Sequence, residues 1–286
     1  MAKKEAGEIQ RSIQLIRRSF LAKIGIAIIS FILIVAIFAP VIAPNSPTDT
    51  NLIDRLKPPS PTHPFGTDHV GRDILSRIIF GSRISLRIGV IVVSLGLTIG
   101  TLLGLIGGYA GGTTDAVIMR IADMFLSFPP LILAMALAAS LGPNIENVIL
   151  ALAIIWWPRY ARLARSKAIS LREDDFVMAA HSVGASAFHI IRRHIFPNSI
   201  SPLLIQASLE LGSVILLAAT LSFIGFGAQP PTPEWGAMAS SGREYIRMAW
   251  WYPTFPGLAI FMTVIGFNLL GDAIRDILDP YQRRRQ

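Results

Sequence analysis

Cysteine is absent from this 286-residue chain. That excludes a disulfide scaffold, thiol catalysis and thiolate metal sites. Charge is scarce as well: 15% of residues are Asp, Glu, Lys or Arg, against about 25% in an ordinary soluble domain. Several chemical signatures are missing. No Gly-Lys dipeptide occurs, so there is no phosphate-binding P-loop. Neither His-Glu-x-x-His nor Gly-x-Ser-x-Gly is present, so the sequence offers no metalloprotease helix and no nucleophile elbow of those types. What fills the space is apolar: 52% of residues by a broad count, with a mean hydropathy of +0.54. A disordered chain would be polar and charge-rich, and a soluble enzyme of ordinary composition would not be this greasy.

The apolar half is organised into runs of spanning length. A transmembrane helix needs about 20 mostly apolar residues. Ile24–Ala43 is a charge-free run of that kind, too long for the ~7–15-residue core of a signal peptide. A second run is Ile88–Thr114, whose Gly-rich end, Gly107 to Gly112, reads as a loop. The third, Ile121–Leu141, contains Pro129-Pro130 and should kink there. Ile145–Trp157 is the shortest, with Trp156 and Trp157 expected at an interface and Arg159, Arg162 and Arg165 beyond it in water. Ser199–Phe223 and Pro253–Leu270 complete the set. The expectation is an all-α integral membrane fold of six transmembrane helices with both termini on one side.

A formal net charge of +8 invites a nucleic-acid reading, but its distribution fits a membrane protein better. With the N-terminus inside, 18 of the 26 Lys and Arg residues fall on cytoplasmic segments, as the positive-inside rule requires. Arg77, Arg83 and Arg87 crowd the outer end of the second span, where an amphipathic interfacial helix would hold them.

Ionisable residues within spans are functional candidates. Glu210 and Asp123 qualify, and a cation-coupled secondary carrier would use Glu210 along its substrate path. No basic residue is expected in the layer of Glu210, which favours a polar contact to a neighbouring helix or subunit. His181, His189 and His194 share one segment, but their spacings of eight and five fit no common ligand pattern.

The most informative stretch runs from Ser170 to Pro202. Ser170-x-x-Glu173 has the form of a helix start, reinforced by Asp174 and Asp175. Phe176, Val177, Ala179 and Ala180 make a short helix with a small-residue face, and Gly184 stands where it should end at positive φ. A second amphipathic helix, about Ser186–His194, should be broken by Pro197-Asn198. Ala179-Ala180, then Gly184, then Pro197 thirteen residues later, resembles the "EAA" loop of ABC importer permeases, with Met178 at the position of the family's Glu. Other blocks follow in family order: His63 to Asp73, Gly81 to Leu86, Ser127-Phe-Pro-Pro130, Trp157 to Arg165, His194 to Asn198, Leu221 to Gly227, Pro233-Glu-Trp-Gly236 and Gly271 to Pro280. Together they resemble the C-type permease subunit of dipeptide and oligopeptide transporters.

That resemblance implies a type I importer core in the last five spans, preceded by an added N-terminal span. The expected divisions are a cytoplasmic segment 1–19, a first helix 20–43, an extracytoplasmic loop 44–83, a permease domain 84–276 and a cytoplasmic basic tail 277–286. It implies no catalytic residue, no metal and no cofactor in this chain, ATP being bound by partner subunits. The partners implied are a homologous B-type permease, cytoplasmic ABC ATPase subunits, an extracytoplasmic substrate-binding protein and the lipid bilayer, with no nucleic acid. Asp175, Ala179, Ala180, Gly184 and Pro197 become the ATPase-coupling residues, and the extracytoplasmic loops a landing surface for the binding protein. Substrates handled by such relatives include di- and oligopeptides, nickel chelates and some oligosaccharides.

Overall fold

The computed structural model describes residues 19–278. The expected N-terminal cytoplasmic segment up to residue 18, and the tail from residue 279 with Arg283, Arg284 and Arg285, lie outside the described residues. Among the described residues every regular element is a helix. Helix α1 (Phe20–Ile37) starts at Ser19, whose hydroxyl accepts the Ala22 N–H at 3.2 Å. A single turn, α2 (Ala39–Ile42), leads into an irregular segment that returns at Asp73.

Asp73 caps α3 (Ile74–Ala110) by accepting the Ser76 N–H at 2.8 Å. At 37 residues this helix is about 55 Å long, more than the ~40–45 Å of a whole bilayer. Its first turns therefore stand clear of the apolar layer. That accounts for the three arginines: Arg77, Arg83 and Arg87 belong to an overlong α3 rather than to a separate interfacial helix. Arg77 is buried there, and Arg87 pairs with Glu146 at 2.8 Å. The Gly-rich loop is also shorter than expected, because the helix persists to Ala110 and breaks only where Gly111 and Gly112 take φ of +68° and +54°.

Helices α4 (Gly112–Leu126) and α5 (Pro130–Leu141) meet at 90° around Ser127–Pro129, the expected proline break. Helix α6 (Ile145–Arg172) runs 28 residues straight through Pro158. Two short helices, α7 (Asp175–Ser182) and α8 (Ala187–Ile190), precede a π-turn at Ile191–Ile195 and helix α9 (Phe196–Ile224). Helix α10 (Trp235–Arg243) and the closing α11 (Trp251–Leu278) follow.

Two expectations at the loop change. Ser170 to Glu173 does not begin a helix: it is the last turn of α6, and α7 starts after Asp174. Pro197 does not break the chain either. It lies where the π-turn passes into α9: the Phe196 N–H reaches back to the Ile191 carbonyl, and the wider π-turn admits the proline ring without ending the helical path.

Four helices, α1, α3, the α8–α9 run and α11, are long and apolar enough to cross a membrane, and the bent α4–α5 pair makes five. The sixth expected span is α6. It falls short of the same criterion because its second half carries Arg159, Arg162, Arg165, Lys167 and Arg172. Trp156 and Trp157 are buried in protein, not spread at an interface.

The densest packing is α3 against α6, which run parallel. Gly96, Gly100, Gly104 and Gly108 form one stripe on α3, facing Trp156, Tyr160, Ala161, Ala164 and Ala168. A methyl group at Gly100 would lie 2.3 Å from the Trp157 carbonyl oxygen, and one at Gly104 2.2 Å from that of Ala161. Backbone meets backbone there, as in small-residue membrane interfaces generally. Helix α1 lies outside this core, on α11, with Gly25 against Leu269 and Gly266 against Ile28 and Ile29.

Gly104→Leu should therefore force the two helices apart and cost about 1–3 kcal/mol. Thermal unfolding of the purified protein checks this. The midpoint should fall by several degrees, whereas Gly257→Ala, with no atom within 4 Å of the added methyl, should leave it nearly unchanged.

Candidate functional site

Helix α6 emerges from that tight contact and presents three arginines at intervals of three residues. Each meets an acid from another helix. Arg159 Nη1 donates to both oxygens of Glu210 on α9, at 3.0 and 3.1 Å. Arg162 reaches Asp123 on α4 at 2.6 Å. Arg165 grips Asp115, also on α4, through Nε and Nη2 at 2.5 and 2.6 Å, the two-pronged geometry in which guanidinium–carboxylate pairs are strongest.

Glu210 is the most enclosed of these acids, with its side chain 6% exposed. It also accepts from the Trp156 indole N–H at 2.9 Å and from the Gln206 amide at 2.8 Å. The Arg159 guanidinium sits 4.8 Å above the Trp156 ring. The expectation that no base shares the layer of Glu210 is thus corrected. Arg159 of α6 reaches across to Glu210 on α9, and both carboxylate oxygens are engaged. Asp123 and Arg162, by contrast, are each about half exposed.

Beyond Arg172 the chain turns back on itself. Residue Asp175, exposed, begins α7. Only Val177 of this helix is buried; with Ile190 and Ile195 it roots the loop in the main core. The helix closes with a Schellman motif: the Gly184 N–H donates to the His181 carbonyl at 2.9 Å, and the Ala185 N–H to the Ala180 carbonyl at 3.1 Å. Gly184 takes φ +82° with open space around it. Glycine is required there for its backbone conformation, not for room. Ala179 is exposed and Ala180 half-buried.

The structure therefore gathers Asp175, Ala179, Ala180 and Gly184 on one helix-turn and sets Pro197 at the root of α9. Around them Phe176, Met178, Val183 and Phe188 are exposed at 43%, 51%, 85% and 72%. Such a set of bare apolar side chains on one small element marks an interaction surface. His181, His189 and His194 stay in this region, with 6.1 Å between the rings of His189 and His194. Among the described residues no group of three or more acids and histidines is placed to hold a metal.

Two features escaped sequence reasoning. One is the arginine series, readable as Arg159, Arg162 and Arg165 at spacing three but without any clue to partners 39 to 51 residues away. The other is the four-residue glycine stripe on α3, which was open to view as Gly96-x-x-x-Gly100-x-x-x-Gly104-x-x-x-Gly108.

At the opposite end, the segment between α2 and α3 is tied to α11 by polar contacts. The His69 imidazole meets the Tyr252 hydroxyl at 2.9 Å, and its burial holds it below its ordinary pKa. Glu234 caps α10, accepting from Gly236 and Ala237 at 3.0 and 2.8 Å, and its burial pushes its carboxyl above the usual range.

Comparison with known proteins bears on both ends. Residues 100–284 match the family of binding-protein-dependent transport system inner membrane components, and residues 9–59 match the N-terminal TM domain of oligopeptide transport permease C. The chain is 53% identical over 253 residues to "Probable D,D-dipeptide transport system permease protein" of Escherichia coli K12, covering 88% of this chain and 85% of the relative. It is 48% identical over 265 residues to a dipeptide transport system permease protein of Alkalihalophilus pseudofirmus, covering 93% and 87%. Among solved structures, an inward-facing form of the MetNI methionine ABC transporter aligns with a TM-score of 0.57 and 18% identity, over 71% of this chain and 97% of the other. At that identity it shows the shared fold alone.

The α6–α9 tie can be tested directly. Glu210→Gln keeps an acceptor for Trp156 but leaves Arg159 without its counter-charge. Stability should drop by about 1–3 kcal/mol, and Arg159→Leu combined with Glu210→Leu should recover part of the loss. Denaturation of wild type, Arg159→Leu, Glu210→Leu and their double variant in one detergent would show it; a double variant as unstable as the sum of those singles would contradict the pairing.

Proposed function

The chain belongs to the inner membrane components of binding-protein-dependent transport systems, and from that premise we propose that it forms half of a translocation pathway for di- and oligopeptides. It is a transport subunit of an ABC importer and works with an ATPase and a binding protein. In our reading a homologous B-type permease supplies the other half of the pathway. The cytoplasmic ATPase subunits bind the ATP for which this chain has no P-loop. Six spans, α6 among them, put the N- and C-termini in the cytoplasm, and residues 84–276 make up the shared permease core. The segment 44–83 and the α9–α11 connection then face the binding protein.

The observation that carries this reading is the α7–α8 element. It is rooted at one side by Val177, Ile190 and Ile195 and left bare at the other by Phe176, Met178, Val183 and Phe188. A bare apolar face on a cytoplasmic loop needs a protein to cover it. A groove on the ATPase would do so, with Asp175 at the exposed start of the helix, Ala179 and Ala180 allowing close approach and Gly184 holding the turn. Movement of the ATPase would pass through α7 to α6 on one side and through Pro197 to α9 on the other. The bound nucleotide would then bias the pathway between inward- and outward-facing states. Glu210 enters as the link that makes α6 and α9 respond together. A secondary carrier using Glu210 is disfavoured, because both its oxygens are held by Arg159, Trp156 and Gln206.

The peptide class rests on what the relatives transport. Nickel chelates and oligosaccharides are the alternatives that substrate profiling would have to exclude.

Gly184→Glu places a side chain at φ +82°, which costs roughly 1–2 kcal/mol at a single site and disturbs the turn. The complex should still assemble in the membrane yet lose peptide uptake and binding-protein-stimulated ATP hydrolysis. Gly184→Asn, which tolerates this conformation better, should keep a substantial share of both. Normal uptake by Gly184→Glu would remove the coupling role from this loop.

A further inference from the structure

At the end facing the binding protein, two arginines are buried in a way the loop's own folding does not use up. Arg72 and Arg77 are 6% and 4% exposed. Asp68, fully buried, is the one carboxylate within salt-bridge reach of either among the described residues: Arg72 Nε donates to its Oδ2 at 2.6 Å, and Arg77 Nε lies 3.8 Å from the same atom. Asp68 Oδ1 is already taken by the N–H groups of Val70 and Arg72 at 2.9 and 3.0 Å. Two guanidinium charges thus share one carboxylate.

Their donors are also in surplus. Arg77 Nη1 donates to the carbonyls of Pro47 and Pro231 at 2.7 and 3.1 Å and Nη2 to that of Thr232 at 3.5 Å, but its Nε has no hydrogen-bond partner. The terminal nitrogens of Arg72 have none among the described residues. Arg77 Nε is thus a buried donor left unmade, which is uncommon and costly, whereas the Arg72 terminal nitrogens stay open to the space beside them. Both side chains line a cavity of about 160 Å³ whose floor includes Ser222 and whose wall includes Ser240 and Tyr252, with exposed Gln229 at the rim. That is far more than the ~15 Å³ one water needs. Two further buried acids of this end are engaged elsewhere: Asp73 with His63 and Ser76, and Glu234 with Gly236 and Ala237.

We propose that this cavity is a carboxylate-binding site, in which the free terminal nitrogens of Arg72 take both oxygens of an incoming carboxylate while the charge of the neighbouring Arg77 guanidinium favours the anion. A planar fork facing a polar, walled space fits that group and supplies charge-assisted bonds. Two sources present it at this face: the C-terminus of a peptide, or an acidic side chain of the docked binding protein. The identity of the source, but not the site, rests on the importer reading above.

The test uses the full chain with its partner subunits in nanodiscs, without binding protein, titrated calorimetrically at constant ionic strength with Gly-Gly, its C-terminal amide and acetate. Saturable binding of at least one free acid is expected, with the amide and the Arg72→Gln variant each weaker by about tenfold or more, the scale of one lost charge-assisted pair. Arg72→Lys should lie between, since it keeps the charge and loses the fork. Gly-Gly binding tighter than acetate assigns the site to peptide. Acetate equal to Gly-Gly, with binding-protein affinity lost in Arg72→Gln, assigns it to an acidic side chain. Equal binding of acid and amide overturns the proposal, as does no saturable binding of any probe, or unchanged binding by Arg72→Gln. Because the wild type alone separates acid from amide, a misfolded variant does not blunt the test. Dipeptide uptake by the wild-type importer, measured in parallel, distinguishes failure of this site from failure of the importer reading.

Discussion

The closeness of α3 to α6 is the constraint on which the rest of the molecule depends. Lipid offers no hydrophobic drive for helices to associate, so contact has to come from shape and from polar links. Four glycines on α3 let its backbone rest on Trp156, Tyr160 and the alanines of α6. With α6 pinned along one face, its remaining surface is fixed in rotation, and that rotation aims Arg159, Arg162 and Arg165 at acids on α9 and α4. The ion pairs are therefore a consequence of the glycine stripe as much as a support for it.

In the proposed coupling, the same arrangement would let the loop after Arg172 transmit a push. Helix α6 is held at three levels by charge and by packing as far as Ala168, which leaves only its last turn free to absorb a displacement of α7. On the far side, the π-turn and Pro197 join α8 to α9 with no break in the helical path. Glu210 then closes the circuit between the two long helices well away from the loop. The Asp123–Arg162 pair, half exposed, is the weakest of the three ties and the one most open to exchange with water.

Much of this was legible in the residues. Apolar runs located α1, α3, the bent α4–α5 pair, α9 and α11, and Gly184 was rightly placed in a left-handed turn. What misled was local. Ser170-x-x-Glu173 carries the signature of a helix start, but α6 was already helical there and its burial at Ala164 and Ala168 carried it through. Pro197-Asn198 looks like a break until a π-turn is allowed to precede it. The stretch from Gly107 to Ala110 looks like a loop until α6 supplies the close neighbour that makes glycine useful inside a helix. Salt-bridge partners such as Arg159 and Glu210, and the buried pair Arg72 and Arg77, are set by tertiary contacts that no window of sequence contains.

The central claim is that α7 and α8 deliver their bare face to an ATPase. Photo-crosslinking from Met178, replaced by a benzoylphenylalanine residue in native membranes, tests it most directly. The account predicts one dominant protein adduct, identified by mass spectrometry as a P-loop ATPase, and none from the same probe at the buried Val177. Adducts formed only with lipid, or equally from both positions, would contradict it.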